Sequence, residues 1–381
     1  MRFGKRILPA TLRLFWAWLV LTAGAFGQPA EKQVPSRDYI TARLKDLRKI
    51  STPEGIEALE TVDIEGSKQW ISIRGLNRKN PVLLMIHGGP GSPMLPLSWA
   101  FQEPWEDFFT VVQWDQRGAG KSYNTASLEE LQKTVSPDRI VKDAEAITAY
   151  LRKRLNQEKI FVMGFSWGTY VGVHLAKIRP EWLHAYIGVG QTSGPEGEKY
   201  IYERLLQLAR KANHQEAIRE LEGIAPYPVD DDTFLRKINL VRKWARVFDG
   251  GWYGRRDFDL FYALQDWAPE YTQADVNVQG AVYRLAGTNI VPPMKRRDFR
   301  DLGPKFECPV IFLMGRYDLH TPYAKAREYF DWLQAPKKKF VTFERSAHFT
   351  MFEEPGRFLL SLVNDVLPLA GPAPQFEVLL P

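Results

Sequence analysis

Residues 159–168 read KIFVMGFSWG, a short apolar run that ends in a serine flanked at two positions by glycine. An unbroken apolar run of this length is typical of a β-strand covered on both faces of a parallel sheet. The residues from Trp167 to Ile178 predict a helix, which Pro180 ends because proline cannot continue the helical hydrogen-bond pattern. This stretch therefore predicts a sharp turn from strand to helix at Ser166.

The buried-strand pattern recurs before and after this turn. We predict further strands of this kind at residues 81–87, 109–114, 185–190, 309–315 and 339–343. Residues 56–64 and 69–74 alternate apolar and polar side chains, as half-buried antiparallel strands do. Ser136 and Pro137 predict the start of a helix of about 18 residues. Alternating strands and helices predict an α/β fold with a mostly parallel central sheet flanked by helices.

The alternation stops at residues 192–304, which we call the cap segment. A helical pattern at residues 200–212 is followed there by many aromatic residues. We interpret the cap segment as a largely helical insertion between two core parts, residues 28–191 and 305–370, with a tail at 371–381. Its aromatic side chains are expected to divide between a substrate pocket and the cap's own core. They are Trp244, Phe248, Trp252, Tyr253, Phe258, Phe261, Tyr262 and Trp267.

The first 27 residues have the layout of a secretory signal peptide. Three basic residues lie within residues 1–6, an apolar run follows from Leu14 to Ala25, and small residues precede Gln28. Arg13 interrupts the run, which is shorter than the ~20 residues that a membrane-spanning helix needs. We therefore predict cleavage before Gln28 and export to the periplasm or the medium, with no stable membrane insertion of the mature chain.

Charge and cysteine content disfavour two classes of protein. The chain of 381 residues has a net charge of +6, which falls to +2 without the four basic residues of the predicted signal peptide. A balance so close to neutral gives no support for binding to nucleic acid. Cys308 is the single cysteine, so an internal disulfide is impossible and packing alone must hold the fold together.

Residues 164–168 match the pattern Gly-x-Ser-x-Gly, with a predicted strand before it and a predicted helix after it. So sharp a turn closes only when the residues two positions away are small, and Gly164 and Gly168 meet that need. The first N–H groups of the following helix are directed toward the negative charge that develops on a substrate oxygen. Ser166 is therefore our candidate nucleophile.

A serine hydroxyl becomes a good nucleophile when a base within hydrogen-bond reach accepts its proton and a third group orients that base. Six histidines are available. Five of them fit other roles, in a glycine loop, a helix, a strand, the cap segment or beside the candidate acid: His87, His174, His184, His214 and His320. His348 follows the last predicted strand at the carboxyl edge of the sheet and is our candidate base.

The candidate acid is Asp318, which follows the predicted strand 309–315 by three residues and leaves the same edge of the sheet. Its rivals are Glu344, at the end of the next strand, and Glu196, at the start of the cap segment. The chain order serine, aspartate, histidine is the order that accompanies this serine motif. We therefore predict Asp318 as the group that orients His348.

A glycine-rich loop follows the predicted strand 81–87 and reads HGGPG at residues 87–91. Glycines leave their backbone N–H groups open to a substrate carbonyl oxygen, and such a loop beside the serine turn supplies one of two donors. We predict that the N–H groups of Gly89 and Trp167 form an oxyanion hole.

Three motifs together resemble the proline iminopeptidase branch of the α/β hydrolases. They are HGGPG at residues 87–91, DQRG at residues 115–118 and GFSWG at residues 164–168. The likeness covers roughly residues 82–191 and 308–367 and leaves the cap segment out. It implies the α/β-hydrolase fold.

The resemblance also implies an aminopeptidase-like serine hydrolase that removes an N-terminal residue, commonly proline, through an acyl-enzyme. Ser166, Asp318 and His348 would form its catalytic triad. In that family glutamates of the cap hold the free amine of the substrate. The candidates in this chain are Glu196, Glu198 and Glu203.

Two other interpretations stay open. An esterase or lactonase would use the same triad but prefer short acyl esters to prolyl amides, whereas a hydrolase-like binding protein would keep the pocket with little turnover. No metal or organic cofactor is predicted, and residues 230–232, three aspartates, lack the ligand spacing of a calcium loop. The expected partner is a small-molecule or short-peptide substrate, and the sequence leaves the oligomeric state open.

Overall fold

A computed structural model describes residues 35–192, 194–255 and 263–371 of the chain. The predicted signal peptide, residues 1–27, lies outside the described residues, as does nearly all of the predicted tail. Cleavage before Gln28 and export therefore stay predictions.

The chain divides into two compact units, Met1–Ile40 and Thr41–Pro381. Of the first unit the structure describes residues 35–40, within which the helix Arg37–Leu47 begins. Within the described ranges, no helix is both long enough and apolar enough to span a bilayer. The remaining elements all belong to the second unit.

Eight strands within the described residues form one sheet. The strands are β1 (Ile56–Ile64), β2 (Ser67–Gly75), β3 (Val82–Ile86), β4 (Thr110–Trp114), β5 (Ile160–Phe165), β6 (Leu183–Val189), β7 (Val310–Gly315) and β8 (Lys338–Phe343). Their spatial order is β1-β2-β4-β3-β5-β6-β7-β8. β1 and β2 pair antiparallel with their neighbours, and β3 to β8 pair in parallel. The predicted α/β class with a mostly parallel central sheet is confirmed.

The two faces of the sheet carry separate hydrophobic clusters, and β3 contributes to both. Val82, Leu84 and Ile86 pack into one cluster, whereas Leu83 and Met85 pack into the other. Successive strand side chains point to opposite faces, so a strand covered on both sides needs an apolar residue at every position. This explains the unbroken apolar runs that predicted the strands.

Helices cover both faces of the sheet. Before the cap segment the α-helices of the second unit are Gly120–Tyr123, Leu128–Thr134, Pro137–Arg154 and Gly168–Ile178, and after it Tyr323–Trp332, Thr350–Glu353 and Pro355–Ser361, followed by the π-helical turn Leu362–Val366. The predicted 18-residue helix is Pro137–Arg154. It begins as predicted, because the Ser136 hydroxyl accepts a hydrogen bond from the N–H of Arg139 and proline occupies the first turn.

Described residues of the cap segment form α-helices between β6 and β7. They are Pro195–Lys211, Gln215–Glu222, Phe234–Val247, Gln273–Asn277, Gln279–Asn289 and Val291–Met294. The first begins five residues before the predicted start at residue 200. Its opening residues, Pro-Glu-Gly-Glu, look like a loop in sequence, yet proline suits the first turn and the glutamates face the positive end of the helix. The boundaries at residues 192 and 304 stay a prediction.

Cys308 lies just before β7 and is 2% exposed. Burial raises the pKa of its thiol to about 11. The side chain packs with Phe306 and Val310 in the larger core cluster and acts there as a small apolar group.

Asp115, at the end of β4, joins the core to the cap segment. Its carboxylate accepts hydrogen bonds from the Tyr271 hydroxyl at 2.5 Å and from the backbone N–H of Lys121 at 2.8 Å. The Lys121 ammonium in turn pairs with Asp275 at 2.8 Å. Burial raises the pKa of Asp115 to about 7, although the hydrogen bond from Tyr271 opposes this shift.

We expect the Asp115→Asn variant to gain stability relative to wild type as the pH rises from 4 to 7. In the unfolded chain the carboxyl ionises near its ordinary pKa of 3.8, whereas burial holds the proton in the folded chain up to about pH 7. The folded state therefore loses stability across this window, by up to about 4 kcal/mol at ~1.36 kcal/mol per pKa unit.

Urea unfolding at several pH values measures this difference. The exposed Asp232 supplies the control, and the Asp232→Asn variant should follow wild type at every pH. A difference between wild type and Asp115→Asn that stayed constant from pH 4 to 8 would contradict the prediction.

Candidate active site

Ser166 lies at the turn between β5 and the helix Gly168–Ile178, as predicted. Its φ angle is +53°, in the left-handed region that costs a non-glycine residue about 1–3 kcal/mol. The backbone N–H of Ser166 donates to the carbonyl oxygen of Val189 at 2.9 Å, which ties the turn to the end of β6. Strain of this kind persists only where the surroundings fix the backbone, and it concentrates at functional sites.

The two glycines of the motif make this turn possible. A Cβ atom at Gly168 would lie 2.0 Å from the carbonyl oxygen of Ile86, at the end of β3. A Cβ atom at Gly164 would lie 2.5 Å from the carbonyl oxygen of Gly168. Both distances are far inside van der Waals contact, so the helix packs this close to the sheet only without side chains at these positions.

Asp318 and His348 meet at the carboxyl edge of the sheet. Asp318 follows β7, His348 follows β8, and the imidazole Nδ1 lies 2.8 Å from the Asp318 Oδ2. Both side chains are buried, with 0% and 4% of the side-chain surface exposed for the carboxylate and the imidazole, respectively. This hydrogen bond assigns the proton to Nδ1 and leaves the lone pair on Nε2 available to act as a base.

The imidazole of His348 lies against Phe165, which precedes Ser166, and against Gly190, which follows the end of β6. Its ring centroid is 5.0 Å from that of Phe165, and a Cβ atom at Gly190 would lie 3.0 Å from its Cε1. No hydrogen bond joins the Ser166 hydroxyl to His348 among the described residues. Hydrogen bonds between catalytic groups are often long in ligand-free structures and tighten when substrate binds.

The rival acids and bases lie elsewhere. Glu344 forms a bidentate pair with Arg316, at 2.9 and 2.7 Å, and Glu196 is exposed on the first cap helix. His87 accepts a hydrogen bond from the N–H of Gln116 through Nε2, and burial lowers the pKa of His87 to about 4. The geometry therefore pairs His348 with Asp318 and with neither glutamate.

Gly89 and Trp167 border the same cavity as Ser166. The φ angle of Gly89 is +110°, a backbone conformation that other residues rarely adopt. Neither backbone N–H donates a hydrogen bond to another described residue. Both N–H groups are therefore free to bind a substrate oxygen, and their role as an oxyanion hole stays a prediction.

A cavity of about 520 Å³ opens at Ser166 and extends beneath the cap segment. Of the three glutamates suggested by resemblance, Glu198 lines it, whereas Glu196 and Glu203 are exposed and do not. The Glu198 carboxylate is bidentate with the Arg242 guanidinium and also accepts a hydrogen bond from the Tyr227 hydroxyl at 2.5 Å. No group of three or more candidate ligand side chains for a metal ion occurs in the described ranges.

Some aromatic residues of the cap segment were expected to line the pocket. None of those that the structure describes does so. Trp244 is 2% exposed and packs among the aliphatic side chains of the first cap helices, and Trp252 packs against the core near Phe349. Phe258, Phe261 and Tyr262 lie outside the described residues. Phe234 and Phe299 line the cavity in their place. Sequence composition marks aromatic richness but not which helix face turns inward.

Sequence reasoning missed two residues that hold Asp318 and His348 in place. The hydroxyl and the backbone N–H of Thr321 each donate to the Asp318 carboxylate at 2.8 Å. The Glu353 carboxylate accepts from the N–H groups of Ala347 and Phe349, on either side of His348, at 2.9 and 2.8 Å. The three-residue spacing from Asp318 to Thr321 is a recognisable side-chain turn, whereas Glu353 gave no comparable sequence signal.

Gln116, in the DQRG motif, braces the two loops that carry the oxyanion-hole candidates. Its side-chain amide donates to the His87 carbonyl oxygen at 3.0 Å and accepts from the Trp167 indole N–H at 3.1 Å. The glycine loop and the serine turn are therefore held at a fixed separation by one buried side chain.

A model of the family described as "alpha/beta hydrolase fold" matches residues 81–355. The chain belongs to the alpha/beta hydrolase family. It is 28% identical over 319 residues to the probable aminopeptidase YbaC of Bacillus subtilis (strain 168), with 82% of this chain and 97% of that protein covered. It is 25% identical over 323 residues to the proline iminopeptidase of Heyndrickxia coagulans, with 80% and 97% covered.

A solved structure shows a similar likeness in three dimensions. The proline iminopeptidase of Mycobacterium smegmatis superposes with a TM-score of 0.58 at 21% identity, covering 82% of this chain and 98% of that one. This similarity shows a shared fold. Together the comparisons confirm the predicted α/β-hydrolase fold and the resemblance to the proline iminopeptidase branch, and the protein is a hydrolase.

In this alpha/beta hydrolase, Gly168→Ala should lower the free energy of unfolding by roughly 1–3 kcal/mol or more, because the added methyl group overlaps the Ile86 carbonyl oxygen. Urea denaturation measures the change. Gly356→Ala is the matched control, since a Cβ atom there meets nothing within 4 Å, and its effect should stay within about 0.5 kcal/mol. Equal effects of the two substitutions would refute our explanation of the turn.

Proposed function

We propose that the protein is a serine hydrolase that forms an acyl-enzyme at Ser166 and removes the N-terminal residue from short peptides or amino-acid amides. The observation that carries the proposal is the His348–Asp318 pair, buried beside a strained serine turn at the mouth of a cavity. A paired imidazole and carboxylate next to a serine is the arrangement that acyl transfer to water requires.

The proposed mechanism begins with proton transfer from the Ser166 hydroxyl to Nε2 of His348, as the serine oxygen attacks the substrate carbonyl carbon. Asp318 stabilises the resulting imidazolium through the hydrogen bond to Nδ1. The N–H groups of Gly89 and Trp167 hold the oxyanion of the tetrahedral intermediate. The imidazolium then protonates the leaving amine, and the carbon–nitrogen bond breaks to give the acyl-enzyme.

Water completes the cycle by the same steps in the same site. His348 takes a proton from water, the hydroxide attacks the ester carbonyl carbon, and the proton returns to the Ser166 oxygen as the acid product leaves. Neither half of the cycle consumes a redox equivalent.

Two features support the aminopeptidase specificity. The relatives named above are a probable aminopeptidase and a proline iminopeptidase, and both are covered over nearly their whole length. The Glu198 carboxylate lines the cavity, where it would accept hydrogen bonds from the free amine of a substrate. A carboxylate has about four acceptor positions, so its contacts with Arg242 and Tyr227 leave capacity for one more donor.

The second candidate function is an esterase or lactonase with the same triad. The ion pair between Glu198 and Arg242 favours it, because the positive guanidinium offsets the charge that would attract a substrate ammonium group. An ester or lactone has no such group to bind. The two functions therefore differ in what they require of Glu198.

Ser166→Ala should abolish hydrolysis of amino-acid naphthylamides and of p-nitrophenyl esters while the protein stays folded. A fluorophosphonate probe should label the wild-type protein at Ser166 and leave the variant unlabelled. Turnover by the folded Ser166→Ala protein would contradict the assignment of Ser166 as the nucleophile.

Substitutions of Asp318 and Glu344, which each follow a strand of the sheet, test which acid orients His348. Asp318→Asn should lower kcat by about 10³–10⁴-fold, since the imidazole loses the partner that sets its proton on Nδ1. Glu344→Gln removes an exposed pair with Arg316 and should leave kcat within about twofold. Similar losses in both variants would argue against the assigned acid.

Glu198→Gln should raise the KM for prolyl- and alanyl-naphthylamide relative to that for p-nitrophenyl acetate by roughly 10-fold or more, if the carboxylate holds the substrate amine. Glu203→Gln, on the exposed side of the same helix, is the control and should leave this ratio unchanged.

The double variant Glu198→Gln/Arg242→Gln separates amine binding from the loss of a half-buried ion pair, because it leaves no uncompensated guanidinium. The second function would be established instead by two results together. The KM ratio of naphthylamides to p-nitrophenyl acetate would be unchanged in both Glu198 variants, and p-nitrophenyl acetate or a lactone would be turned over faster than the amides.

A further inference from the structure

The cap side of the cavity presents a surface of apolar side chains. We call it the apolar wall, and it consists of Ile201, Phe234, Ile238, Val291, Met294 and Phe299. Ile201, Phe234 and Phe299 are buried, whereas Ile238, Val291 and Met294 are half-buried. The half-buried members leave apolar surface that an incoming substrate would cover.

Most of the charged side chains that line the cavity have a protein partner. The pairs are Glu198 with Arg242, Asp230 with Arg296, Arg297 with Asp138, and Lys295 with the backbone carbonyl of Asp231. A charged group that already has a partner gains less binding free energy from a second partner than a charged group that faces water does. Most of the surface that a substrate can newly bury is therefore apolar.

The volume of the cavity gives the size of the group it receives. About 520 Å³ falls within the roughly 300–1,000 Å³ of pockets that enclose drug-sized ligands. A prolyl ring fills only a small part of this space. The cavity that Ser166 and the apolar wall both line therefore has room for a medium-length aliphatic chain or an aromatic group.

We propose that the cavity binds a large apolar group of the substrate against the apolar wall, and that Ile238 determines this specificity. The preferred substrates are then esters or amides of medium-chain aliphatic or aromatic acids, or peptides with a large apolar N-terminal residue. The proposal rests on the proposed function for catalysis at Ser166. It adds the chemical class of the substrate to that function.

Ile238 is the most informative position to change, because it lies in the middle of the helix Phe234–Val247 and is half-buried in the cavity. Leu235 is on the same helix but 38% exposed and outside the lining, so it provides a matched control.

The first experiment compares p-nitrophenyl acetate, butyrate, hexanoate and octanoate, which share one leaving group. If the chain packs against the apolar wall, kcat/KM should rise about fourfold for each added methylene, the equivalent of ~0.8 kcal/mol per buried CH₂ group. The kcat/KM values for leucyl- and phenylalanyl-naphthylamide should likewise exceed that for prolyl-naphthylamide. If the enzyme turns over p-nitrophenyl acetate but kcat/KM does not depend on acyl chain length, the proposal is overturned.

Substitutions at the wall test the same idea from the protein side. Ile238→Trp fills the cavity and should lower the ratio of octanoate to acetate kcat/KM by about tenfold or more, whereas Ile238→Ala should preserve or raise it. Leu235→Trp should leave both kcat/KM values and their ratio as in wild type. Equal changes for octanoate and acetate in the Ile238 variants would contradict a role in specificity.

Binding to the Ser166→Ala protein separates this proposal from the proposed function. Calorimetry with methyl ketones of increasing chain length should show Kd falling about fourfold per methylene, and Ile238→Trp should abolish the trend. If this series holds but Ser166 is neither labelled nor needed for turnover, the proposed function fails and the apolar site stands. If binding does not depend on chain length, the apolar site fails whatever the catalytic result.

Discussion

The active-site geometry depends on a backbone contact that leaves no room for a side chain. At Gly168 the helix after β5 lies against the carbonyl oxygen at the end of β3, and at Gly164 the strand lies against the helix. This contact forces Ser166 into the left-handed region and fixes where its side chain begins. The loops that carry Asp318 and His348 converge on that point because β5, β7 and β8 are parallel and end at the same edge.

The buried carboxylate of Asp143 is tolerated because several donors satisfy it. Asp143 is 0% exposed, yet its carboxylate accepts hydrogen bonds from Gln69, Arg117 and Arg139 at 2.7 to 3.0 Å. Removing the Asp143 carboxylate would leave the buried Arg117 guanidinium without its ionic partner, which is strongly destabilising. The arginine of the DQRG motif therefore has a structural role, and it contacts no part of the cavity that opens at Ser166.

The core strands and the meeting of His348 with Asp318 were predictable from the sequence because their signals are local. Two-sided burial requires an apolar residue at every strand position, and the serine turn needs two glycines at fixed spacing. Asp318 and His348 each follow a predicted strand at the carboxyl edge of the sheet. Chain order fits Glu344 as well as Asp318, and the structure separates the two because Glu344 pairs with Arg316. The cap side of the cavity was not predictable in this way. Glu198 meets Arg242 across 44 residues, and Arg297 reaches Asp138 across 159, so only the folded chain shows which charges are already paired.

The helix start at Pro195 and the role of Glu353 illustrate the same limit. A proline followed by a glutamate and a glycine favours a loop until the helix that it opens is packed against its neighbours. Glu353 holds the loop of His348 through the backbone N–H groups of residues 347 and 349. Every residue except proline has such a group, so the sequence does not mark it.

The burial of Cys308 has a consequence for how the protein withstands its chemical surroundings. Electrophiles and peroxides attack the thiolate, and a thiol whose pKa is raised to about 11 has almost none at neutral pH. With its sulfur enclosed in the core, this residue is inert toward alkylating reagents and toward mixed-disulfide formation. Since Cys308 is the single cysteine, thiol–disulfide exchange offers no route by which the surroundings alter the folded chain.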